Sequence, residues 1–134
     1  MPEQLIIDFD DAPHFSELEF AKLGCHKSEC NSVSLRRLER LRSQVGEPLI
    51  LTSAYRTAYH DRLRGRSGTG PHTIGCAFDI ACTSDALRFK IISAALAVGF
   101  HRIGIGKNFI HVDDSNVHPA PRIWTYYNSS NSNH

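Results

Sequence analysis

Apolar residues recur along this chain in two rhythms. Residues 34–45 carry the helical one: Leu35, Leu38, Leu41 and Val45 fall on one stripe and Arg36, Arg37, Arg40 and Arg42 spread over the rest. Gly46 ends that helix and Pro48 prevents its continuation. A second helix begins after Ser84 as its cap, with Leu87, Ile91, Ala94, Ala95 and Val98 on its apolar face and Gly99 past its end. Two short helices are predicted over 16–23, where Ser16 and Glu19 form a capping box, and over 57–64. Strands are predicted over 49–55, 77–82, 102–106 and 109–113. Residues 106–108 read as a hairpin turn, and 65–71, with three glycines, as a loop. Helices come first and strands follow with one helix among them. That order predicts an α+β fold, a small antiparallel sheet with helices packed on one side.

The 134 residues suit one domain, over 1–127, and the Ser/Asn-rich stretch 128–134 reads as a flexible tail. A net charge of +1 supplies no basic field for nucleic acid and no steering toward anionic membranes. No apolar run is long enough to span a membrane. The start, Met1-Pro2-Glu3-Gln4, lacks a basic region followed by an apolar stretch, so no secretory signal is expected. The protein is then made in the cytoplasm, and any action outside it needs another delivery route.

Four cysteines are present. Cys76 and Cys82 would lie roughly 20 Å apart on one extended strand and cannot pair with each other. Cys25-His26 with Cys30 looks like half of a zinc knuckle, but no CxxC follows. Free thiols or a Cys25–Cys30 disulfide are the alternatives.

The chemistry concentrates in two places. In the strand over 77–82, Ala77, Asp79 and Ala81 share one face and Phe78, Ile80 and Cys82 the other. A carboxylate between two alanines leaves room above it, as a cleft floor would. Gly75 lets the chain bend so that His72 returns over Asp79. In the second place, alternation puts His111 and Asp113 on one face, about 6–7 Å apart, while Ile110 and Val112 point into a core. Two imidazoles and one carboxylate suit a three-ligand catalytic zinc site with a fourth position for water. Read singly, a strand Asp is an ion-pair residue and a strand His a satisfied, half-buried side chain.

Several pieces, taken in order, resemble a known family. They are His14-Phe15-Ser16 with Glu19-Phe20, then Ser53-Ala54-Tyr55-Arg56-Thr57, then His72-x-x-Gly75-x-Ala77-x-Asp79-Ile80. Gly104-Ile105-Gly106, Phe109-Ile110-His111-Val112-Asp113 and Arg122-x-Trp124-x-Tyr126 follow. The chain thereby resembles the M15 peptidases: zinc D-Ala-D-Ala carboxypeptidases and phage endolysins, which share a fold with the hedgehog signalling domain. The resemblance implies Zn2+ held by His72, Asp79 and His111 in a cleft on the sheet, with Arg56 facing the substrate. It implies hydrolysis of an amide bond in peptidoglycan stem peptides, D-Ala-D-Ala or L-Ala-D-Glu. It also implies action on the cell wall after release, or within a phage particle beside virion or lysis components. The chain departs from the family at Asn108 and Phe109, where relatives carry an acid or histidine before the last ligand, and at Gly70 and Arg66. Asp113 is therefore the candidate general base, or else the partner that orients His111. A non-catalytic zinc-binding module in a virion or wall-bound assembly is the alternative to a peptidase. A zinc-stabilised interaction domain like hedgehog is a third reading.

Overall fold

The structure, a computed structural model, describes residues 13–15, 32–54 and 76–127. The leucine stripe forms helix α1 (Ser32–Val45), which starts two residues before the predicted 34, and buries Leu35, Leu38, Leu41 and Val45. Gly46 closes it in the left-handed region (φ 81°), donating its N–H to Arg42 O at 3.1 Å. Helix α2 (Asp85–Val98) is bounded as its caps dictate. The Ser84 hydroxyl accepts the Leu87 N–H, and Gly99, at φ 103°, donates to Ala95 O. Ile91, Ala94 and Ala95 are buried, whereas Leu87 and Val98 only border the core.

The described residues form five strands: β1 (Leu51–Ser53), β2 (Ala77–Ala81), β3 (Arg102–Ile105), β4 (Phe109–Asp113) and β5 (Arg122–Thr125). Their order in the sheet is β1-β2-β4-β3-β5. β3 and β4 form the predicted antiparallel hairpin, with Gly106 N–H donating to Phe109 O at 2.9 Å. β2 and β4 are antiparallel neighbours in the centre.

Three features differ from the sequence expectation, the first being β5, over which no strand is predicted. β1 is shorter than the predicted 49–55. The sheet is also mixed, because β5 runs parallel to β3. The reason is topological. β4 is already flanked by β2 and β3, so the chain leaving Asp113 crosses the start of β3 and pairs with its free edge in the same direction. Arg102 Nη1 fastens this crossing by donating to Pro119 O at 2.6 Å.

One face of the sheet holds Phe78, Ile80, Ile103, Ile110 and Val112, all fully buried, and packs them under α1 and α2. Each such side chain removed from water contributes about 1.5–3 kcal/mol. Phe78 meets Phe100 edge-on at 6.4 Å. Arg37 fastens α1 to this layer: it donates to Asp114 Oδ2 and to Val98 O, the latter at the open end of α2. Ser34 donates to Asp114 Oδ1, and His14 pairs with Glu39. Both Cys76 and Cys82 are buried. No helix among the described residues is long and apolar enough to cross a membrane. The predicted helices over 16–23 and 57–64, the loop over 65–71, Cys25, Cys30 and the stretch 128–134 lie outside the described residues.

Candidate metal centre

The other face of the sheet gathers the polar residues that alternation sets opposite the core. Strand pairing aligns them across the sheet. Asp79 of β2 lies directly opposite His111 of β4, and His111 lies opposite Gly104 of β3. Gly104 in turn lies opposite Trp124 of β5. One row over, Ala77, Asp113, Arg102 and Arg122 are aligned in the same way. Residues 32 positions apart in the chain are thus fixed side by side by ladder hydrogen bonds.

His111 sits between two carboxylates. With its ring protonated, Nδ1–H donates to Asp79 Oδ1 at 2.9 Å and Nε2–H to Asp113 Oδ2 at 2.6 Å. Burial disfavours the charged ring, but the hydrogen bonds to Asp113 and Asp79 and their negative charges outweigh it, so the pKa of His111 is raised above 6.5. Burial likewise disfavours the ionised Asp113. The hydrogen bond and charge of His111, then the Arg102 guanidinium and the Ser115 N–H, outweigh it and hold Asp113 below the usual carboxylate range. Asp113 has no solvent exposure, and both of its oxygens are engaged. Arg102 Nε–H lies 2.9 and 3.1 Å from them, Ser115 N–H donates to Oδ1 at 3.0 Å, and His111 takes Oδ2. Asp79 keeps partial access, at 17% side-chain exposure against 1% for His111. The pair therefore has one open side, and it is the Asp79 side.

Small residues shape the space around the pair. Ala77 and Ala81 flank Asp79 on its strand. At Gly104 a Cβ would come within 2.6–2.8 Å of the Tyr126 and Trp124 rings, so only glycine lets those rings lie against β3. Trp124 consequently stands 5.4 Å from the His111 ring, and the Arg102 guanidinium carbon lies 4.9 Å from a Trp124 ring centroid. Phe109 and Tyr126, 5.1 Å apart, continue the aromatic wall.

The structure thus brings Asp79, His111 and Asp113 together. His72 and Arg56, the other predicted site residues, lie outside the described residues. Among the described residues no three His, Cys, Asp or Glu side chains form a metal-holding group.

The residues that are described fit a zinc ion. An imidazole nitrogen and a carboxylate oxygen face each other across 2.9 Å. A tetrahedral zinc with bonds of about 2.0–2.2 Å separates two such donors by about 3.4 Å, so the pair has to open by only about half an ångström. The second ring nitrogen is held by a buried carboxylate, the usual support for a metal-bound histidine.

Sequence reasoning passed over Arg102, which reads there only as the first residue of a strand. The available signal was its register with Gly104 and Gly106, which places it on the polar face. Trp124 and Tyr126 entered only through the family resemblance.

No curated protein matches this sequence. The sequence profile described as peptidase M15 matches residues 14–113, which takes in β1 to β4 and all five predicted site residues. On that match over most of its length, the chain belongs to the peptidase M15 family.

Proposed function

We propose that this peptidase is a zinc enzyme that hydrolyses an amide bond in the stem peptides of peptidoglycan, at D-Ala-D-Ala, with L-Ala-D-Glu as the alternative bond. One observation carries the zinc reading. Asp79 and His111 are paired on the open face of the sheet, and the far nitrogen of His111 is fixed by a buried carboxylate. His72, Asp79 and His111 would hold the ion. A zinc ion there supplies an activated water and a Lewis acid for the scissile carbonyl. Arg56 positions the substrate through a charge-assisted hydrogen bond to its carboxylate. Asp113 serves as the partner that orients His111 rather than as the general base, because it is fully buried and both oxygens are engaged. Trp124 walls one side of the site.

The wall substrate, its approach after cell lysis or from a phage particle, and the absence of nucleic-acid and membrane partners belong to the same proposal. They rest on the family and on the small net charge. A second reading, a zinc-binding module without turnover, draws on Asn108 and Phe109. Neither can take a proton, and Phe109 packs against Tyr126 instead.

The test is metal content measured together with release of D-Ala or new amino groups from purified peptidoglycan, with and without chelator. One zinc per chain with chelator-sensitive release supports the enzyme. Zinc without release from any wall type supports the module. A protein that takes up no zinc refutes both.

A further inference from the structure

Behind the candidate ligands lies a buried cation for which neither the family resemblance nor the proposed hydrolysis assigns a task. Arg102 is 4% exposed, and Asp113, which it contacts, is fully buried. Arg102 divides its donors. Nε–H is shared between the two Asp113 oxygens at 2.9 and 3.1 Å, and Nη1–H goes to Pro119 O at 2.6 Å. The Trp124 ring covers the guanidinium, and the same ring lies 5.4 Å from His111.

We propose that Arg102 is a positioning residue for His111: it locks the Asp113 carboxylate so that His111 is held by Nε2 and turns Nδ1 toward Asp79. This proposal rests on the zinc reading of the site.

Stability alone does not account for the arrangement, because a buried ion pair gains little over apolar residues of the same volume. What the pair supplies is direction. With Oδ1 taken by Ser115 N–H and both oxygens steered by Arg102, the carboxylate has one orientation, and its Oδ2 is left aimed at Nε2. The imidazole then cannot turn over without breaking a 2.6 Å hydrogen bond. Lysine could not substitute. Its single nitrogen cannot serve the carboxylate and the Pro119 carbonyl together in the plane that Trp124 covers. The loop to β5 thus acts on the metal pair through Arg102, although it contributes no ligand.

The experiment compares wild type with Arg102→Met, Asp113→Asn and the double variant. Zinc affinity is read by competition with a chromogenic chelator, and the His111 ring N–H signals are recorded by NMR on metal-free protein. Arg102→Met is expected to weaken zinc binding by about 10- to 100-fold. The double variant is expected to bind no more weakly than Asp113→Asn alone, since Arg102 acts through Asp113. The Nε2–H signal of His111 should broaden or vanish in Arg102→Met while the backbone amides stay dispersed, and Arg102→Lys should restore it only in part. Losses that multiply in the double variant, or an unchanged ring signal in Arg102→Met, would overturn the proposal. Should Arg102→Met not fold, Arg102→Gln keeps a donor on the same stem and takes its place. Should wild type bind no zinc, the metal reading falls, and the ring signal alone then decides whether Arg102 positions His111.

Discussion

Replacing Gly104 by alanine puts a methyl group where two aromatic rings already are. The added carbon would sit 2.6 Å from Tyr126 Cε2 and 2.7–2.8 Å from Trp124 Nε1 and Cε2. Ordinary contact between such atoms is about 3.5–4.0 Å, so both rings must retreat by roughly 0.7–1.4 Å. Trp124 cannot retreat freely, because it lies over Arg102 and beside His111. The backbone at Gly104 needs no left-handed conformation, so strain in φ plays no part. Overpacking of this kind costs about 1–3 kcal/mol. The reduced freedom of the unfolded chain returns about 0.4–1 kcal/mol. The net is a destabilisation of about 1–2 kcal/mol, or a fall in Tm of about 4–8 °C for a domain of this size. Trp124 is the only tryptophan in the sequence, so its fluorescence reads this site alone. Gly104→Ala should shift its emission to the red and weaken zinc binding in the same titration. An unchanged Tm with unchanged emission would refute the reasoning, since it would mean that the rings do not rest on the glycine.

Asp113→Ala leaves the Arg102 guanidinium buried without its counter-charge, which costs about 3–5 kcal/mol; urea unfolding of the metal-free variant measures it. In the metal-free protein the raised pKa of His111 contributes stability that is complete below pH 6.5 and is lost as pH rises through its folded value. The lowered pKa of Asp113 contributes stability that is present above pH 3.8 and is lost as pH falls through its folded value. Stability from this cluster should therefore be greatest between those limits, and His111→Gln should flatten the alkaline limb in melts taken across pH. In the proposed zinc site the ion would displace the His111 proton, so its affinity should rise with pH, and calorimetry in buffers of different ionisation enthalpy should show proton release. Burial, with the charges of Asp113 and Asp114, pushes the Cys76 thiol far above its ordinary range. Mapped by mass spectrometry, Cys76 should resist alkylation at pH 8 in the folded protein and react once it is unfolded.

The shared faces of Asp79 with its alanines and of His111 with Asp113 were legible because strand alternation is local. Asp79 between Ala77 and Ala81, and His111 above Asp113, declare their face in five residues each, and the structure pairs these two faces in register. Both caps of α2 were legible for the same reason, since Ser84 and Gly99 act on their own neighbours. β5 was not legible. It is an edge strand whose side chains are mostly exposed, so it carries no apolar alternation, and its parallel direction follows only from which sheet edge was free. The burial of Arg102 was hidden for a related reason. An arginine opening a strand reads as a solvated residue, and what covers this one arrives about twenty positions later, with Pro119 and Trp124.

The strand order has a consequence for how the protein is made. β4 stands between β2 and β3, so β2 has no partner on its inner side until residue 113 has been synthesised. At about 5–20 residues per second, β2 waits for seconds with only β1 beside it before β4 can close its inner side. During that interval Asp79 has no His111 opposite it. A fragment that stops short of β4 therefore lacks the Asp79–His111 pair. The pairing that defines the site is thus a late event, waiting on a strand made about thirty residues after the one it joins.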